Sequence, residues 1–117
     1  MSRDLFVVDL PPGIASVDEI SDGFVPAELK VSRSDIIEAI RAEAPDADAA
    51  DAAWVRVDRP GSCSIEFNLG EGERLRDFSV HTSGGVEADR LVARILDRLA
   101  LRAADPAEDS GLFQPWT

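Results

Sequence analysis

From residue 86 to residue 101 the apolar side chains Ala88, Leu91, Val92, Ile95, Leu96 and Leu99 recur every three or four positions. At 100° per residue that spacing gathers them within about 140° of a helix surface. A helix with one such stripe must lie against something equally one-sided. The residues before it supply that partner. Residues 62–70 alternate apolar and polar, with Ile65, Phe67 and Leu69 to one side, and stop at Gly70. Residues 75–82 alternate again, with Phe78 and Val80 inward, and run into Ser83-Gly84-Gly85. A period of two reads as strand and a period of 3.6 as helix, so residues 63–101 read as one ββα unit. The opposite face of its strands then carries Glu66, Asn68, Ser79 and His81.

The remaining chain adds elements around this unit. Leu5-Phe6-Val7-Val8 is β-prone and is closed by Pro11-Pro12-Gly13, which predicts a first strand. Residues 13–31 read as irregular, with room for a helical turn or an edge strand. Ser32 or Ser34 is placed as an N-cap, with Asp35 standing where a capping box has Glu or Gln; Ile36, Ile37 and Ile40 then share a face. That helix ends near Ala44, before Pro45. Residues 53–58 alternate and stop at Arg59-Pro60-Gly61, a strand and a turn. Arg102 to Pro106 end the second helix, and Leu112, Phe113 and Trp116 read as a short strand or as groups docking on the core. Sequential strands are usually neighbours. The expected architecture is therefore α+β: an antiparallel β-meander of three to five strands, a long amphipathic C-terminal helix packed on one face, and a shorter N-terminal helix. Residues 1–117 fit one domain.

Composition narrows the function classes. The chain is 44% hydrophobic and 30% charged, the balance of a folded protein rather than a disordered one. Its single cysteine, Cys63, excludes an internal disulfide framework. No apolar run approaches the roughly 18 residues of a membrane helix, and the run at Leu5–Val8 meets Asp9 too soon for a signal-peptide core. The expected compartment is the cytoplasm.

The net charge of −11 disfavours nucleic acid and anionic membranes as partners and favours a basic protein. Residues 1–51 hold twelve acids and four bases, residues 52–117 eleven and eight. The candidate partner-binding acids are accordingly Asp18, Glu19, Asp22, Glu28, Glu43, Asp46, Asp48 and Asp51. The Asp46-Ala47-Asp48-Ala49-Ala50-Asp51 run has calcium-loop spacing but lacks the turn glycine and the distant bidentate Glu, so it reads as a solvated acidic linker.

Candidate chemistry is sparse. His81 is the only histidine, with Ser79 and Glu66 as same-face partners. A small enzyme or ligand-binding domain built on Glu66, Asn68, Ser79 and His81 requires a concave pocket there. Ser83-Gly84-Gly85 lacks the phosphate-loop spacing and its lysine, so it reads as a turn with positive φ. Cys63 reads as a small buried hydrophobe. One His and one Cys supply no metal site, and neither a cofactor nor a catalytic residue is expected. Arg90, Arg94 and Arg98 form a ridge at four-residue spacing with Glu87 and Asp97 among them, read as a solvated face.

Asp9-Leu10-Pro11, Ile65-Glu66-Phe67-Asn68-Leu69-Gly70, Phe78-Ser79-Val80-His81, Gly84-Gly85, the helix around Leu91 to Leu99, Arg102-Ala103-Ala104-Asp105 and Gly111-Leu112-Phe113 together give a familiar pattern. The chain resembles small bacterial immunity-type proteins associated with contact-dependent-inhibition and other polymorphic toxin systems. The resemblance covers the C-terminal half and a short N-terminal echo; residues 41–52 and those beyond Phe113 have no counterpart in it. It implies a non-enzymatic inhibitor that binds and neutralises a cognate toxin. A homodimer paired through the open sheet face is the further alternative.

Overall fold

The computed structural model describes residues 2–115, so the docking expected of Trp116 lies outside the described residues. In chain order the elements are β1 (Ser2–Val8), a 3-10 turn (Val17–Glu19), α1 (Arg33–Glu43), β2 (Trp54–Arg59), β3 (Cys63–Asn68), β4 (Asp77–Ser83), α2 (Val86–Leu99) and β5 (Ala103–Ala104). The five strands form one antiparallel sheet in the order β2-β3-β4-β1-β5.

This corrects the expected meander with a long C-terminal helix and a shorter N-terminal one. Only β2, β3 and β4 run as a meander. The first strand enters between β4 and β5, because β3 already occupies one edge of β4 and β1 takes the other. The helix α2 is 14 residues long and is not the last element: Ala100 turns left-handed, the helix stops at Leu99, and Ala103–Ala104 return to the sheet beside β1. The most N-terminal helical piece is the three-residue turn at Val17–Glu19, inside the segment expected to be irregular; α1, at 11 residues, follows it.

The local causes are visible in the caps. Ser32 accepts from the Asp35 N–H while Asp35 accepts from the Ser32 N–H, so Asp fills the capping box. Glu73 reaches across to the Ser34 N–H at 2.9 Å and adds a carboxylate at the same helix start. At the other end Ala44 closes the helix ahead of Pro45.

Both helices lie on one side of the sheet. Leu5 and Val7 of β1, Val55 and Val57 of β2, Ile65 and Phe67 of β3, and Phe78 and Val80 of β4 are buried there with Ile36 and Ile40 of α1 and Leu91, Val92 and Ile95 of α2. Each large apolar side chain so buried contributes about 1.5–3 kcal/mol. Leu112 is buried too, and bridges back to Ala104. The described residues extend 41 × 32 × 19 Å. A thickness of 19 Å accommodates one sheet and one helix layer about 10 Å apart, with no third layer. The second sheet face is left open. No helix among the described residues is long and apolar enough to cross a membrane.

Candidate functional site: the open face of the sheet

Strand alternation decides what the open face carries. With Leu5 and Val7 inward, Asp4 and Phe6 point outward; the same parity turns out Trp54, Arg56 and Asp58 on β2, Ser64, Glu66 and Asn68 on β3, and Asp77, Ser79, His81 and Ser83 on β4. Register then aligns these residues into rows across the strands. One row runs Trp54, Asn68, Ser79, Phe6 and reaches Ala104 on β5. The next runs Arg56, Glu66, His81, Asp4, and the third Asp58, Ser64, Ser83, Ser2. The first row thus carries Asn68 and Ser79 between two exposed aromatics, Phe6 at 46% and Trp54 at 40%, with Ala104 beyond Phe6. The second row alternates in charge character along its length.

Glu66, Asn68, Ser79 and His81, expected on one face, are brought together there. His81 is half exposed, and its Nδ1 lies 2.6 Å from Asp4 Oδ1 on the neighbouring strand. Among the described residues no hydrogen bond joins His81 to Ser79 or to Glu66. A depression of about 580 Å³ opens at the first-row end of the face, between Phe6, Val8, Asn68, Leu69, Gly70, Asp77, Phe78 and Ser79. It takes in Asn68 and Ser79 but neither His81 nor Glu66. Arg56 and Glu66 are register partners yet form no ion pair, and among the described residues no side-chain hydrogen bond holds either. Their charge is turned to solvent.

The eight candidate acids of the N-terminal half are held separately. Glu19 accepts the Ala15 and Ser16 N–H groups, Asp48 the Ala50 N–H, and Asp51 the Ala53 N–H. Glu28 lies 3.5 Å from Arg74. Asp46 takes a two-pronged bond from Arg59, whose guanidinium holds the Asp46 carboxyl below its ordinary range. Glu43 receives Arg98 and Arg94 from α2, and these two guanidinium groups, Arg98 foremost, depress its pKa. Of these eight, Asp18 and Asp22 have side chains that enter no hydrogen bond or ion pair among the described residues. The arginine ridge is therefore a helix–helix clamp at Arg94 and Arg98. Glu87 turns from that ridge toward Arg59 and the Ser62 hydroxyl.

Burial pushes the Cys63 thiol up, with Glu87 adding to the shift, which suits a packed side chain rather than a nucleophile. Gly84 and Gly85 take φ of +125° and +61°, the turn that their sequence implies. Asp4, Phe6, Trp54, Arg56 and Asp58 complete the open face and were not singled out by sequence reasoning. Their outward parity was available from each strand alone, but their juxtaposition requires the order β2-β3-β4-β1. Comparison of the chain with protein-family models, with curated proteins and with solved structures finds no match to any of them.

Proposed function

We propose that this protein is a non-catalytic binding protein that neutralises a basic protein partner, the immunity-type role its sequence resemblance implies, and that it does so through the open face of its sheet. The observation that carries this reading is an uncovered sheet face with Phe6 and Trp54 exposed at its two sides. Exposed aromatics flanking polar groups suit the anchors that dominate protein interfaces. The same face carries the carboxylates of Asp4, Asp58, Glu66 and Asp77 against the single guanidinium of Arg56 and one imidazole. On a chain of net charge −11 that excess steers a basic protein toward it. A reaction site at His81 has less support, because the depression beside Phe6 leaves both His81 and Glu66 outside.

The test is co-purification of the intact protein with the product of the adjacent reading frame, followed by titration calorimetry at low and high salt. A stable pair is expected, its affinity falling as salt rises. Ser at both Phe6 and Trp54 weakens it by about a hundredfold if each anchor is worth somewhat over 1 kcal/mol. A complex indifferent to both substitutions, or no complex with that product, overturns the reading.

A further inference from the structure

We infer that, with no other partner present, the open face closes on a second copy of this chain, across a two-fold axis that lies in the interface and runs along the strands between β3 and β4. The inference rests on the reading of this face as a contact surface and names what occupies it at rest.

The face is complementary to itself in one orientation. A two-fold axis along the strands reverses the order of columns and keeps each row opposite itself. The row Arg56, Glu66, His81, Asp4 then meets its own reverse, so Arg56 faces Asp4 of the second copy and Glu66 faces its His81. No carboxylate sits directly opposite a carboxylate, although the surplus of acids on each face opposes the approach and Asp4 already touches His81 of its own copy. In the neighbouring row Trp54 faces Phe6 and Asn68 faces Ser79, apolar on apolar and amide on hydroxyl. The alternative in-plane axis, perpendicular to the strands, sets Arg56 over Arg56, Glu66 over Glu66 and Asp4 over Asp4, and that repulsion selects the first. Aligned face-to-face sheets keep their strands within about 30° of one another, so the central rows remain in contact despite the twist.

The size of the face sets the strength. Four strands about 4.8 Å apart and about 22 Å long give a planar footprint of roughly 400 Å² before side-chain relief. Two such faces bury about 800 Å² in total, below the roughly 1,200 Å² at which standard specific interfaces begin and in the range of weak, transient pairs. The dimer is therefore weak and concentration-dependent, and a tighter partner displaces it from the same face.

Sedimentation equilibrium of the intact protein over a wide concentration range tests this, with circular dichroism as the check on folding. A monomer–dimer equilibrium is expected. Arg56→Glu and Asp4→Arg each weaken it at least tenfold, and the double variant restores it, because each protomer then offers the reversed pair. A monomer at every concentration overturns the inference, as does a dimer insensitive to both charge reversals, or one that both weaken and the double variant fails to restore. A monomeric protein that still captures the neighbouring gene product leaves the binding reading standing. A dimer that captures nothing does the reverse.

Discussion

The guanidinium of Arg3 lies 3.4 Å from the carboxylate of Asp89, and both side chains are almost completely buried. Arg3 is also 3.6 Å from buried Asp105, 2.5 Å from Glu108, and donates to the Gln114 carbonyl at 2.9 Å with the Phe113 ring 5.4 Å away. One cation on β1 thus joins α2 to the returning C-terminal segment. Removing it leaves carboxylates in a low-dielectric interior without that compensation, a change that costs about 3–5 kcal/mol. Arg3→Met is expected to lower the unfolding free energy by that amount in urea titrations. Arg3→Lys, which keeps the charge but loses the planar fork, should fall between it and the parent.

The glycines of the β4–α2 turn should separate on substitution. A Cβ on Gly84 would sit 2.5 Å from the Cys63 Cβ, 2.6 Å from its Cα and 2.7 Å from the Ser62 carbonyl oxygen, at a φ of +125°. Backbone on the facing strand cannot yield to it. At Gly85, with φ +61°, nothing lies within 4 Å. Gly84→Ala is therefore expected to cost about 3 kcal/mol or more, from both clash and strain. Gly85→Ala should cost about 1–3 kcal/mol from backbone strain alone, since φ +61° with ψ −128° lies outside the left-handed helical region that other residues can enter. Comparing the two denaturation midpoints checks the difference.

How much of this was legible in the sequence follows from what is local. The α2 stripe and the alternation of β3 and β4 depend on neighbours a few residues away, and Glu66, Asn68, Ser79 and His81 share a face because a strand repeats every two residues. Arg3 shares its parity with Leu5 and Val7, so a charge on the buried side was there to be read. Its acidic partners were not, since they arrive from α2 and from the far end of the chain. The strand β5 gave no signal: two alanines have no alternation, and their pairing with Phe6 and Val7 depends on Ala100 ending the helix first. The candidate site was half legible for the same reason. Its outward residues follow from parity, and its rows follow from a strand order that the local pattern does not contain.

Ala100 offers a stabilising substitution. It closes α2 in the left-handed region at φ 53° and ψ 40°, with its N–H directed to the Asp97 and Leu96 carbonyls and the Leu101 N–H returning to Leu96. Glycine is the residue this position favours, because a Cβ there crowds the following carbonyl. Ala100→Gly is expected to add about 0.5–1 kcal/mol net of the extra chain entropy, a rise of roughly 2–5 °C in Tm. Scanning calorimetry reads it directly, and an unchanged or lower Tm would contradict this account of the cap.

Acid should loosen the contact between the helices before it reaches the core. Arg98 and then Arg94 hold Glu43 below its ordinary pKa, Arg59 does the same for Asp46, and Ser34 for Glu73. A carboxylate whose pKa is lower folded than unfolded binds fewer protons in the native state. Its stabilisation is fully present above the unfolded value, about 4.3 for Glu and 3.9 for Asp, and is lost as pH falls through that value toward the folded one. Thermal melts taken downward from neutral pH should therefore stay level to about pH 5 and then decline. In Glu43→Gln the starting stability is lower because the Arg94–Glu43–Arg98 clamp is uncharged at its centre. The decline below pH 5 should be shallower than in the parent, since one linked proton has been removed. Equal slopes in the two proteins would mean that the clamp contributes nothing to acid sensitivity, and that Asp46 and Glu73 account for it.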